Sequence, residues 1–173
     1  TIRNSLFANN SAYNGGVTAN GGGKINVYDS LFIGNQSKGF GGALRSFGDL
    51  IVVADGNYSS GGKVVSGDLT NRIVLNKAVF VTSLNGPTNA IITGQKDPVG
   101  PNGNGNSAVR SVWMETGTSL AGFTIRDGAT RTNGDVNLLQ SGGGIWAYGP
   151  AALVSGCVIT TNSAQQNGGG VLG

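Results

Sequence analysis

The chain has 173 residues, of which 38% are hydrophobic and only 11% charged, with a formal net charge of +3 and 32 glycines. That length suffices for one domain with one continuous core. Glycine without a G-X-Y period excludes collagen, singly scattered Lys and Arg argue against a nucleic-acid surface, and no apolar run approaches the ~20 residues of a membrane helix. Helical periodicity is missing as well, since Gly and β-branched residues interrupt every candidate for an apolar stripe at i, i+3, i+4 and i+7.

Strand signals take its place. In chain order they are KINVYDSLFI (24–33), DLIVVA (49–54), RIVLNKAVFVTSL (72–84), NAIITG (89–94), SAVRSVWM (107–114), SLAGFTIR (119–126) and ALVSGCVIT (152–160). Gly/Asn turns separate them, the signature of an all-β chain. Two longer excursions interrupt the series, DPVGPNGNGNS (97–107) and TRTNGDVNLLQS (130–141). The first, with one carboxylate among its oxygen ligands, reads as a mobile insertion and not as a cation loop. Together the two are expected to form a ledge near Trp113, Trp146 and Tyr148.

Internal repetition decides the kind of β structure. SLFANNSA (5–12), SLFIGNQS (30–37) and CVITTNSA (157–164) each carry an apolar pair and then an Asn, namely Asn10, Asn35 and Asn162. Glycine pairs with an aliphatic residue follow at 15–17, 41–44 and 169–171, and a looser copy runs from 122 to 129 and on to 142–145. A period near two dozen residues fits one rung of a right-handed parallel β-helix, with roughly seven rungs over a single 1–173 domain. Rungs stack about 4.8 Å apart, so apolar residues form interior ladders. An Asn at each corner then bonds its counterparts above and below, forming a structural ladder of Asn10, Asn35 and Asn162.

These residues resemble the pectin-lyase-like family of right-handed parallel β-helices. Phe7-Ala8-Asn9-Asn10, Phe32-Ile33-Gly34-Asn35 and Gly42-Ala43-Leu44 are similar to the FxxN and GGA(I/L/V) repeats of polymorphic outer-membrane proteins and bacterial passenger domains. The stretch GDLIVVADGNY (48–58) resembles the opening rung of such helices, yet it follows two FxxN rungs. Residues 1–46 therefore read as a continuation of the C-terminal rungs, with 47–173 starting from the opening rung. Joined on paper, the last residues run into the first as one rung.

No clear terminal cap is legible, and solenoid edges ordinarily need one. The expectation is end-to-end association of copies through Thr1, Ile2, Arg3, Gly170, Val171, Leu172 and Gly173, either as a filament or as a surface assembly. An excerpt of a longer solenoid is the competing reading, since the first residue is not Met. Low charge and a single cysteine point to an extracellular or cell-surface protein of bacterial type. No cofactor and no metal is expected: His is absent and Cys157 stands alone, the pattern of a small buried thiol.

Many members of the resembled family cleave acidic polysaccharides, so the eight acids matter: Asp29, Asp49, Asp55, Asp68, Asp97, Glu115, Asp127 and Asp135. None is spaced to pair on one strand as glycoside hydrolysis wants. Only Arg126 and Asp127 with Arg110 and Glu115 come close, and a solvated charge is the simpler reading of each. No enzyme is expected. A carbohydrate-binding adhesin, with Trp113, Trp146 and Tyr148 as glycan contacts, is the alternative function, and a polysaccharide lyase or hydrolase the second alternative.

Overall fold

The computed structural model describes residues 2–13, 17–19, 27–28, 31–33, 35–38, 44–45 and 49–173. Thr1 and the glycine pairs at 15–16 and 41–42 lie outside the described residues. The chain divides into two compact units, Thr1–Val52 and Val53–Gly173.

The first unit contains β1 (Ile2–Arg3), β2 (Leu6–Ala8), β3 (Ser11–Ala12), β4 (Thr18–Ala19), β5 (Val27–Tyr28), β6 (Leu31–Ile33), β7 (Gln36–Ser37) and β8 (Leu44–Arg45). Each of the first four pairs in parallel with the strand four places later. Ile2 faces Val27, Leu6 faces Leu31, Ser11 faces Gln36 and Thr18 faces Leu44. The first three offsets equal the 25 residues between Asn10 and Asn35. The sequence repeat in this unit is thus the strand register itself.

Across the division runs β9 (Asp49–Val53), followed by β10 (Gly56–Tyr58), β11 (Lys63–Val64), β12 (Thr70–Leu75), β13 (Val79–Ser83) and β14 (Ala90–Thr93). Then come β15 (Val109–Met114), β16 (Ser119–Ala121), β17 (Thr124–Arg126), β18 (Ile145–Ala147), β19 (Leu153–Ser155), β20 (Val158–Thr160) and β21 (Val171–Leu172). From β12 onward the chain visits three sheets in strict rotation, building the neighbour orders β12-β15-β18-β21, β13-β16-β19 and β10-β14-β17-β20. All of these pairings are parallel, whereas β11 adds to β12 antiparallel, with Lys63 facing Asn71.

In the second unit, three runs that read as single strands are each two, as the 24–33 run of the first unit holds both β5 and β6. The 72–84 run breaks between β12 and β13, the 119–126 run between β16 and β17, and the 152–160 run between β19 and β20. The last two breaks fall on Gly122 (φ 75°) and Gly156 (φ 57°), where the chain turns from one sheet to the next. At Gly122 a side chain is doubly excluded, because a Cβ there would lie 2.5 Å from Ser83 Oγ. The two-dozen period of the first unit does not hold throughout this one. Ile73, Val112, Ile145 and Val171 stack in register although 39, 33 and 26 residues separate them. The surplus lies in the connections from β14 to β15 and from β17 to β18, which contain the two excursions.

Alternation along each short strand sends one apolar residue inward per turn, and register places it on its counterpart. Val81, Leu120 and Val154 form one row, Ile92, Ile125 and Ile159 a second, and Leu75, Met114 and Ala147 a third. Leu120, Ile125, Met114 and Ile145 are fully buried in this core. Cys157 is half-buried against it, its Sγ 3.5 Å from the Phe123 N–H.

Candidate functional site

The FxxN corner is built the same way in both units. Asn35 donates from Nδ2 to the Phe7 carbonyl (2.9 Å), and its Oδ1 accepts from the Asn10 N–H (2.9 Å). Asn162 donates from Nδ2 to the Ile125 carbonyl (2.9 Å), and its Oδ1 accepts from the Gly128 N–H (2.8 Å). In each case one side-chain amide reaches back one turn and spans a carbonyl and an N–H three residues apart. The corner backbone explains why these groups need a side chain. Asn9, Asp127 and Thr161, immediately before the amide position, all have left-handed φ between 54° and 56°, and a residue so placed takes the next N–H out of the strand ladder. For β-branched Thr161 this conformation is strained, and its hydroxyl compensates by donating to Asp127 Oδ1 at 2.7 Å.

The side-chain ladder is therefore discontinuous. Asn10 and Asn35 bond amide to amide, Nδ2 to Oδ1 at 2.9 Å. Asn162 instead meets backbone, because Gly128 holds the preceding position and a Cβ there would fall 2.2 Å from the Gly143 carbonyl. Of the expected end residues, Ile2 and Arg3 form β1 beside β5, while Val171 and Leu172 form β21 beside β18. Gly170 and Gly173 flank β21, and the Gly170 carbonyl accepts from the Ile145 N–H at 2.9 Å.

The second constellation is aromatic. Trp113 and Trp146 occupy the same register position on β15 and β18, so their indoles stack with centroids 3.8 Å apart and planes within 15°. Tyr148 lies alongside Trp146, 5.6 Å away and within 4° of parallel. The two indoles are packed rather than presented, each 5% exposed, whereas Tyr148 is 64% exposed. The cover is the 130–141 excursion: Trp146 Nε1 donates to the Asn137 carbonyl at 2.8 Å.

Arg110 fastens that cover. It is fully buried and donates to Asn71 Oδ1 (2.9 Å) and to the carbonyls of Leu138 (2.7 Å), Ser141 (2.8 Å) and Gly142 (2.8 Å). Its guanidinium also lies 5.5 Å from the Trp113 ring centroid, a cation–π contact. Burial lowers its pKa to about 9, so it remains charged at neutral pH. A second arginine, Arg131, pairs with Asp68 at 3.0 Å and donates to the Gly105 carbonyl at 3.0 Å. That contact joins the two excursions. The 97–107 excursion is tied down rather than loose: Asp97 accepts from the N–H groups of Ser107 (2.8 Å), Val99 (3.0 Å) and Gly100 (3.0 Å). Those backbone donors, Ser107 first, hold its carboxyl below the ordinary carboxylate range.

The charged quartet from the sequence does not assemble. Arg110 belongs to the β12-β15-β18-β21 sheet and faces carbonyls, and Glu115 follows on that strand and accepts from Trp113 Nε1 at 3.2 Å. Arg126 and Asp127 form their own 3.6 Å pair on the β10-β14-β17-β20 sheet, half-exposed. Arg110 reads in the sequence as a solvated charge, and neither its burial nor its partner Asn71 is anticipated there. The available signal was VRSVWM, in which apolar residues occupy both parities of a strand that one-sided exposure would alternate.

Beside the aromatic stack lies a depression of about 660 Å³, lined among others by Ser66, Asn76, Glu115, Thr116 and Tyr148. A second, of about 470 Å³, is lined among others by Asp135, Asn137, Gly149 and Leu172. Trp146, Leu138 and Tyr148 border both. Compared with family models, with curated proteins and with solved structures, the chain finds no match.

Proposed function

We propose that the chain is a right-handed parallel β-helix of the pectin-lyase-like kind its repeats resemble. We further propose that it acts as a structural, self-associating subunit, stacking end to end in an extracellular or cell-surface assembly. The observation that carries this reading is the shared corner device. Phe7 with Asn10, and Ile125 with Gly128, each offer a carbonyl and an N–H that an Asn of the next turn spans. Ile159 and Asn162 have the same spacing on the following turn. Val158 turns its N–H back to Phe123 at 2.9 Å, so strand alternation turns Ile159 the other way. The side chain that matches is Asn10 of a second copy. It uses one Nδ2 hydrogen on Asn35, and an amide has a second hydrogen and an acceptor oxygen to give.

The experiment is light scattering and electron microscopy of the purified chain across a concentration series. Expected are oligomers that lengthen with concentration, a shift lost in Asn10→Ala while circular dichroism is unchanged. A monodisperse monomer at the highest concentration reached defeats the proposal. Assembly indifferent to Asn10 moves the contact elsewhere and defeats the corner mechanism.

A further inference from the structure

The groove at Tyr148 supports an inference that does not depend on assembly. We propose that the two depressions that share Tyr148 in their linings are neighbouring subsites for an oligosaccharide of neutral or amino sugars. Tyr148 presents an exposed ring whose orientation is set by the packed indole 5.6 Å behind it and within 4° of parallel. A ring held in this way offers a flat apolar surface with little rotamer freedom left to lose on binding. A pyranose has the complementary form, with one face of C–H groups and a rim of hydroxyls.

The rim has partners on both sides. Ser66, Asn76 and Thr116 line the depression of about 660 Å³ and Asn137 the one of about 470 Å³. Both volumes fall within the roughly 300–1,000 Å³ of small-ligand sites. Leu138 and Trp146 also line both, so a chain crossing Tyr148 meets apolar lining in each.

Charge selects the sugar class. One subsite carries Glu115 and the other Asp135, and among the described residues neither lining includes Lys or Arg. Arg110, the cation next to Trp113, is fully buried and four of its five N–H groups are spent on Asn71 and three carbonyls. A uronate chain meets like charge in both subsites, a hexose chain meets none, and an amino sugar meets its counter-charge.

The test is calorimetric titration of the intact chain with tetrasaccharides of glucose, glucosamine and galacturonic acid, with ring-proton chemical shifts of Tyr148 read alongside. Saturable binding of the glucose and glucosamine oligomers is expected, with the galacturonate oligomer at least about tenfold weaker. Tyr148→Ala is expected to lose about tenfold or more and Tyr148→Phe little, because the face and not the hydroxyl makes the contact. Asn76→Ala serves as a second variant, away from the stack, and is expected to weaken the same oligomers. Glu115→Gln is expected to reduce any advantage of glucosamine over glucose, and Glu115→Gln with Asp135→Asn to erase it. Three results overturn the proposal: no saturation by either favoured oligomer at millimolar concentration, galacturonate binding as tightly as glucose, or affinity unchanged in both Tyr148→Ala and Asn76→Ala.

Discussion

Arg110→Met tests how the 130–141 excursion is held. The substitution keeps a long apolar stem but leaves Asn71 Oδ1 and the carbonyls of Leu138, Ser141 and Gly142 without their donor. Hydrogen bonds to a charged group contribute ~1.5–3 kcal/mol each, so four of them amount to roughly 6–12 kcal/mol. Against this stands the burial of the charge. The lowering of its pKa to about 9 by burial corresponds to about 5 kcal/mol at ~1.4 kcal/mol per pH unit, a cost that Met does not carry. The difference leaves a destabilisation on the order of 4 kcal/mol, or roughly 8–16 °C in Tm for a chain of this length. Arg110→Lys keeps the charge but not the planar fork, and about 1–3 kcal/mol of loss is expected. Thermal denaturation gives the totals, and hydrogen exchange locates them, with early loss of protection at the Arg131 and Leu139 amides, which bond Leu139 and Asp135. If Arg110→Met melts with the parent, the guanidinium is not what fixes the excursion.

Three further predictions follow from the corners and the first excursion. Asn162→Ala leaves the Gly128 N–H unpaired and is expected to cost ~1–3 kcal/mol by chemical denaturation; Asn162→Asp is expected to cost more at neutral pH, since it sets a carboxylate oxygen against the Ile125 carbonyl, and to recover as acidification protonates it. Gly156→Ala meets only the left-handed φ penalty of ~1–2 kcal/mol, its Cβ finding nothing nearer than 3.9 Å. Gly122→Ala adds the 2.5 Å clash with Ser83 Oγ, so the pair should differ clearly in Tm, and equal losses refute the corner geometry. Asp97 has a folded-state pKa below its ordinary value; its contribution is therefore complete above the ordinary carboxylate pKa of roughly 4 and lost as pH falls through the lowered one. Amide exchange at Val99, Gly100 and Ser107 should accelerate over that acidic window in the parent, and in Asp97→Ala, which removes both acceptor oxygens, it should already be fast at neutral pH.

The strands were legible because a parallel sheet with both faces in demand selects β-branched and aromatic residues. The FxxN spacing was legible for a related reason: one left-handed residue before each amide position fixes the distance from Phe7 to Asn10 and from Ile159 to Asn162. Corners inside apolar runs were not legible. In LAGFTI and LVSGCVI core-packed residues stand within two positions on both sides of the glycine, Leu120 and Phe123 in the first and Val154 and Cys157 in the second, so the apolar run continues across the turns at Gly122 and Gly156. Arg110 was misread for the opposite reason. A lone cation in a strand is ordinarily solvated, and nothing local announces that a segment about thirty residues on will supply it with three carbonyls. The aromatic positions were found, but sequence could not separate the covered Trp113 and Trp146 from the open Tyr148.

All three long connections of the second unit, from β14 to β15, β17 to β18 and β20 to β21, bridge the same two sheets. Length variation is thereby confined to a single seam, while the other two bends stay tight. Foreign peptide spliced into that seam lengthens a lobe without disturbing how Ile92, Ile125 and Ile159 nest. Such a molecule is free to diversify what it displays along one margin and still wind the same way underneath.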